Sequence, residues 1–219
     1  MEEDAYVGKW VRPNSDSPLE MVGRKGSHDL DWLAGYIVEK LAIGPTDTVL
    51  DVCCGNGLIT ARIAPKVAAI TGLDYSQVLL KQAAKISTAP NLTYAQADAT
   101  KLGEALKGQQ FDKILLCAAF QHFDEQGAKD VLAGLRLLTP GKTSGEGGTS
   151  RFPTVGARLA YLGRNVATVL AGKKTDDLGW WWNRADFTAA AKAAGFACQT
   201  LDQPKSNPHH TYRFDAILT

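Results

Sequence analysis

The sequence predicts an α/β fold: a doubly wound, mostly parallel sheet with helices on both faces and an antiparallel edge strand. Three observations carry this. Aliphatic runs bounded by turn residues alternate with amphipathic helical patterns from residue 28 to residue 140, the order expected of βαβ units. Val49-Leu50-Asp51-Val52 reads as a buried strand that breaks at Gly55 and Gly57 and resumes at helical spacing through Ile63 and Ala64. The chain closes with a helical pattern followed by two strand-like runs, at 196–201 and 213–218, which suits a hairpin at the sheet edge.

Each element follows from local chemistry. Ser27 is placed to cap a helix over 28–41, whose Leu30, Leu33, Ile37 and Leu41 share one face. Gly44-Pro45 ends it, and a strand over 48–52 follows. The helix after the glycine turn stops near Pro65, which has no N–H to give. A strand over 68–73 leads to Asp74-Tyr75-Ser76, with Ser76 a natural N-cap for a helix through Ile86. Pro90-Asn91 is a turn before a third strand at 92–96, which runs into Ala97-Asp98-Ala99. Residues 111–117 read as a fourth strand leading into Ala118-Ala119-Phe120-Gln121-His122-Phe123. Asp124 caps a helix through Leu138 that buries Val131, Leu132, Leu135 and Leu138, and Thr139-Pro140-Gly141 closes it.

Residues 142–150 then hold three glycines and no apolar residue, the composition of a loop. The fifth strand is therefore weak or missing: it is very poor, or residues 152–155 supply it, or the sheet lacks it. A helical pattern returns over 155–170, and a loop leads to Trp180-Trp181-Trp182. Asn183 caps a helix over 184–194, and Gly195 stops it.

At 219 residues the chain suits one α/β domain, residues 28–219, preceded by an N-terminal lid or tail at 1–27. Tyr6 and Trp10 in that segment also suit packing into the core. The formal net charge of +1 and the lack of a basic stripe argue against nucleic acid as partner. No apolar run is long enough to span a membrane, and the acidic start Met1-Glu2-Glu3-Asp4 does not read as a secretion signal. Cys53, Cys54, Cys117 and Cys198 lack zinc spacing and read as reduced thiols of a cytoplasmic protein. Nothing in the sequence bears on oligomeric state.

The stretch Asp51-Val52-Cys53-Cys54-Gly55-Asn56-Gly57 resembles the first motif of the class I S-adenosylmethionine-dependent methyltransferases, a Rossmann-like family. That motif reads acidic-x-Gly-x-Gly-x-Gly; the acid and the last two glycines are kept, and Cys53 stands at the first glycine. Phe111-Asp112 and Thr139-Pro140-Gly141 resemble further family landmarks, so the likeness covers 28–140 well and 180–219 moderately. The resemblance implies S-adenosylmethionine as cofactor. Cys53, Gly55, Asn56 and Gly57 would floor the site under its amino-acid moiety, and Asp51 would meet its ammonium. Asp74, with Tyr75 beside it, would bind the ribose hydroxyls. Asp98 and the Ala99 backbone would meet the adenine, although Asp98 also suits a plain turn or helix cap. Cys117 and its neighbours would line the pocket.

The resemblance implies in-line methyl transfer to a small-molecule acceptor. Such transfer needs geometry first, and a base only if the acceptor must lose a proton. His122, just past the fourth strand, is the candidate base, since histidine titrates near pH 6.5; the alternative is a histidine packing the next helix. Trp10, His122, Tyr212 and Arg213 are candidates to face the acceptor; for Tyr212 and Arg213, as for His209 and His210, the alternative is that they merely cover the sheet edge. The tryptophan run suits packing with at least one partly exposed indole. His209-His210 has no third ligand at suitable spacing, so no metal is expected. Two other readings stand beside this one. A non-catalytic cofactor-binding or regulatory scaffold keeps the same fold. A nicotinamide-dependent oxidoreductase is opposed by Thr60 at the third position of Gly-x-Gly-x-x-Gly and by the acid before the glycines.

Overall fold

The computed structural model describes residues 30–139, 149–150, 182–205 and 213–219. The expected lid or tail, the helix at 155–170, Trp180, Trp181 and His209-His210 lie outside the described residues.

Helix α1 (Leu30–Lys40) buries Leu30, Ala34 and Ile37. Strand β1 (Thr48–Val52) follows, then the glycine turn, the short helix α2 (Leu58–Ile63) and a 3-10 turn carrying Pro65. Strand β2 (Ala69–Asp74) runs one residue further than expected and takes in Asp74. Helix α3 (Gln77–Ile86) is capped as the sequence predicts: Ser76 Oγ accepts from the Leu79 N–H at 3.3 Å. Strand β3 (Leu92–Gln96) precedes a 3-10 turn (Ala99–Lys101) and the one-turn helix α4 (Leu102–Ala105).

Strand β4 (Lys113–Leu115) is shorter than the expected 111–117, and the reason is non-local. The Phe111 N–H donates to the Leu138 carbonyl, and the Asp112 carboxylate accepts from both the N–H and the hydroxyl of Thr48. Those two bonds hold the Asp112 carboxyl below its usual range. Helix α5 (Glu125–Leu138) starts at Asp124, whose carboxylate accepts from the Gly127 N–H at 2.7 Å. It buries the four residues read from its periodicity, Val131, Leu132, Leu135 and Leu138. Strand β5 (Thr149–Ser150) is two residues long, a poor fifth strand; the alternative at 152–155 lies outside the described residues. Asn183 caps α6 (Arg184–Ala193) by accepting from the Asp186 N–H. Strands β6 (Cys198–Asp202) and β7 (Arg213–Leu218) close the chain, β6 starting two residues later than expected.

The first four strands form a parallel sheet in the order β3-β2-β1-β4, and β5-β7-β6 forms an antiparallel one. Two apolar clusters cover the faces of the parallel sheet. Ala34, Ile37 and Leu41 with Ile63 pack on Val49, Ile70 and Leu115. The larger cluster joins Leu50, Val52 and Ile114 to α5, α6 and β7, with Phe120, Trp182, Phe187 and Phe214 among its members. Across the fold, Tyr36 of α1 donates to Asp215 of β7 at 2.8 Å, and Gln203 Nε2 donates to the other oxygen of the same carboxylate.

Two helical glycines separate propensity from packing. An ideal Cβ on Gly35 of α1 meets nothing within 4 Å, whereas one on Gly134 of α5 lies 2.8 Å from Leu102 Cβ. Gly35→Ala should stabilise the protein by about 0.5–1 kcal/mol through helix propensity. Gly134→Ala should destabilise it by about 1–3 kcal/mol through overpacking. Urea unfolding of the two variants beside wild type checks both signs.

Candidate functional site

The chain leaves β1 at Val52 and turns at once. Cys53, Gly55 and Gly57 have φ of 60°, 57° and 73°, all left-handed. Glycine takes that region freely, whereas a residue with a Cβ does so at a cost of about 1–2 kcal/mol. Cys53 thus adopts a backbone conformation that glycine takes at no steric cost. The turn is bonded to β2 and to itself: Cys54 N–H donates to the Leu73 carbonyl and Gly57 N–H to the Cys54 carbonyl, each at 3.0 Å. The two adjacent thiols part company. Cys53 packs against the larger apolar cluster, while Cys54 Sγ lies beside Gly72 of β2.

Three carboxylates surround this turn. Asp74, 5% exposed, accepts from the Gly55 N–H at 2.8 Å on one oxygen and from the Ser76 N–H at 2.9 Å on the other. Asp51, 2% exposed, accepts from the Thr60 hydroxyl at 2.5 Å. Burial pushes the Asp51 carboxyl up to about 7; the Thr60 bond opposes this and the neighbouring Asp74 adds to it. Asp98 is exposed and caps the 3-10 turn, its Oδ1 accepting from both the N–H and the hydroxyl of Thr100; Ala99 beside it is buried. The Cys53 thiol feels all three acids. Burial first, then Asp74, Asp51 and Asp98, raise it well above an ordinary thiol, so it is a poor nucleophile.

The register Asp51↔Leu115 brings the end of β4 alongside the glycine turn. Cys117 is half-buried there. Ala118 has a φ of 54°, which turns the chain into a 3-10 turn, Phe120–His122. Gln121 Nε2 donates to the Ala118 carbonyl, and His122 N–H to the Ala119 carbonyl. Phe120 anchors the turn by edge contacts with Phe123, Trp182 and Phe187. The half-buried His122 is thereby set at the carboxyl edge of the sheet, and β5 passes against the same turn. Trp182 is core, and its buried Nε1 has no hydrogen-bond partner among the described residues.

The structure therefore gathers Asp51, Cys53, Gly55, Asn56, Gly57, Asp74, Tyr75, Asp98 and Ala99 around the ends of β1, β2 and β3. Cys117 and His122 stand at the neighbouring end of β4. Arg213 begins β7 across from Ser150; its side chain, Trp10 and Tyr212 lie outside the described residues. Among the described residues no cluster of His, Cys, Asp and Glu is placed to hold a metal, and no helix is long and apolar enough to cross a membrane. Sequence reasoning missed Thr60, the partner of Asp51, and the group Gly72, Ser87 and Tyr94. A signal for the latter exists: Gly72 is a glycine inside a strand, which marks a close approach by another group.

The site lies where parallel sheets of this kind bind ligands, outside the carboxyl ends of strands that wind in opposite senses. Among the described residues an ideal Cβ on Gly55 meets nothing within 4 Å, so they leave one side of the turn open. Residues 49–141, which span the whole of this region, match the family model for a methyltransferase domain. An uncharacterized methyltransferase of Synechocystis sp. is 36% identical over 107 residues, 48% of this chain and 48% of that protein. The ubiquinone biosynthesis O-methyltransferase of Pseudomonas fluorescens is 24% identical over 91% of this chain and 82% of its own length. In fold, the chain is similar to a TehB-like SAM-dependent methyltransferase from Corynebacterium glutamicum. The TM-score is 0.64 at 16% identity, over 99% of this chain and 97% of that one.

Asp51 ties stability to pH. Burial holds its folded carboxyl up to about 7, above an ordinary aspartate near 3.9, so between those values the folded state holds a proton that the unfolded chain has lost. Stability is highest below about pH 4 on this account and declines until about pH 7, where the folded form also ionises. Wild type should lose on the order of 2–4 kcal/mol relative to Asp51→Asn between pH 4.5 and 7.5. Urea unfolding of both proteins at the two pH values measures the difference.

Proposed function

Because the chain belongs to the class I S-adenosylmethionine-dependent methyltransferase family, we propose that it is an enzyme that methylates a hydroxyl of a small molecule. The observation that carries the donor site is the pair of buried carboxylates, Asp51 and Asp74, flanking a glycine turn with one open side. The residues fit the donor. Asp51 meets its ammonium, and Asp74 accepts from the ribose hydroxyls. The two backbone bonds to Asp74 fix its orientation. Asp98 turns Oδ1 to Thr100 and offers Oδ2 to the adenine amino group. The Ala99 and Cys117 backbones line the pocket between them.

Bound S-adenosylmethionine supplies a methyl group on a sulfonium, already activated for displacement. The protein's share is to align the acceptor, exclude water and manage one proton. A hydroxyl acceptor would have to give up its proton on methylation. His122 takes it, from the edge of the sheet where the 3-10 turn and Phe120 hold it. A hydroxyl acceptor is supported by the Pseudomonas relatives, named ubiquinone biosynthesis O-methyltransferases and matched over 91% of this chain.

Calorimetric titration tests the donor first. S-adenosylmethionine should bind with a Kd of about 1–100 μM and NADH should not bind. Asp74→Ala should weaken the donor about 100-fold, the equivalent of two charge-assisted hydrogen bonds. Equal donor affinity in that variant removes the ribose role, and NADH binding in its place removes the reading.

His122→Ala tests the proton step separately. It should keep donor affinity and lower kcat about 10²- to 10⁴-fold toward a phenolic acceptor. Turnover at the wild-type rate would mean that His122 only packs against the start of α5.

A further inference from the structure

Tyr94 belongs to no motif, yet it touches the glycine turn more closely than any other side chain from β3. In the β2–β3 ladder it stands directly across from Gly72. An ideal Cβ on Gly72 would come within 2.8 Å of the Tyr94 ring, and one on Gly57 within 2.1 Å of its hydroxyl oxygen. The ring therefore occupies the space that two glycines leave, one in β2 and one in the turn itself. Its hydroxyl donates to the Ser87 carbonyl at 2.7 Å. Ser87, buried at the end of α3, in turn donates its own hydroxyl to the Asn56 carbonyl at 2.8 Å. Two hydrogen bonds in series thus run from β3, through the last turn of α3, to the centre of the glycine turn. Burial pushes the Tyr94 phenol up, so it stays a neutral donor.

We propose that Tyr94 is a positioning residue for the methyl donor, acting through Ser87 to hold Asn56 and Gly57 in the shape that receives it. The inference rests on the donor site argued above. A turn with three left-handed residues has many alternative shapes, and glycine restricts none of them. The Ser87 hydroxyl fixes the Asn56 carbonyl, the rigid ring blocks movement of Gly57 toward β3, and the Tyr94 bond keeps Ser87 in register with both. Gly72 is the complement of this clamp, small because the ring lies over it.

The test uses the full chain as Tyr94→Phe, Ser87→Ala and the double variant. S-adenosylmethionine affinity is read by calorimetry, amide exchange over residues 53–57 is read without donor, and thermal unfolding serves as a check on folding. Each single variant should weaken donor binding about five- to tenfold and speed exchange at Asn56 and Gly57. The double variant should bind no more weakly than Ser87→Ala alone, because the two groups act in one chain. Tyr94→Phe with wild-type affinity, or effects that add in the double variant, overturns the proposal while leaving the donor site intact. Absence of donor binding in wild type overturns the donor site and this proposal together.

Discussion

The Asp74 carboxylate satisfies two backbone donors that the parallel sheet would otherwise strand. Where β1 and β2 end side by side, each chain must turn away, and the first N–H groups beyond the ladder lose their strand partners. Asp74 takes the Gly55 N–H from one turn and the Ser76 N–H from the other. One buried side chain so ties the two exits together. Burial, with the Asp74 charge as a smaller addition, makes the neighbouring Asp51 hold its proton up to about pH 7. The same proximity that builds the turn therefore makes it receptive to a cation.

Aromatic packing completes the other side of the site. Phe120, at the exit of β4, meets Trp182 and Phe187 edge-on, and Phe187 continues to Phe214 in β7. These contacts carry the position of the His122 turn into the antiparallel sheet. The arrangement compensates for a fifth strand of two residues, which contributes few ladder bonds of its own. Side-chain packing does here what backbone pairing does between β1 and β4.

Much of this was legible because it is local. The caps at Ser76, Asp124 and Asn183 each depend on residues three positions apart, and β3 and β7 have the bounds their patterns suggest. The glycine turn and its acids were legible as a motif, whereas the left-handed backbone at Cys53 was not, because a residue with a Cβ rarely adopts it. The length of β4 was not, because Phe111 and Asp112 are engaged by Leu138 and Thr48, residues far away in sequence. Tyr94 was hidden for a similar reason: its role exists only once the register Gly72↔Tyr94 is known. The weakness of β5 was visible, since 142–150 offers no apolar residue, but its position was not.

The hydrogen bond between Tyr36 and Asp215 joins residues 179 positions apart, whereas among the described residues β1 to β4 pair with one another within 30–139. During synthesis on the ribosome the parallel sheet and its glycine turn are complete before α6, β6 and β7 exist. Until those emerge, Leu50, Val52, Leu116 and Phe120 lack much of the layer that covers them in the finished fold. The nascent chain thus passes through an interval in which a formed sheet presents a greasy face.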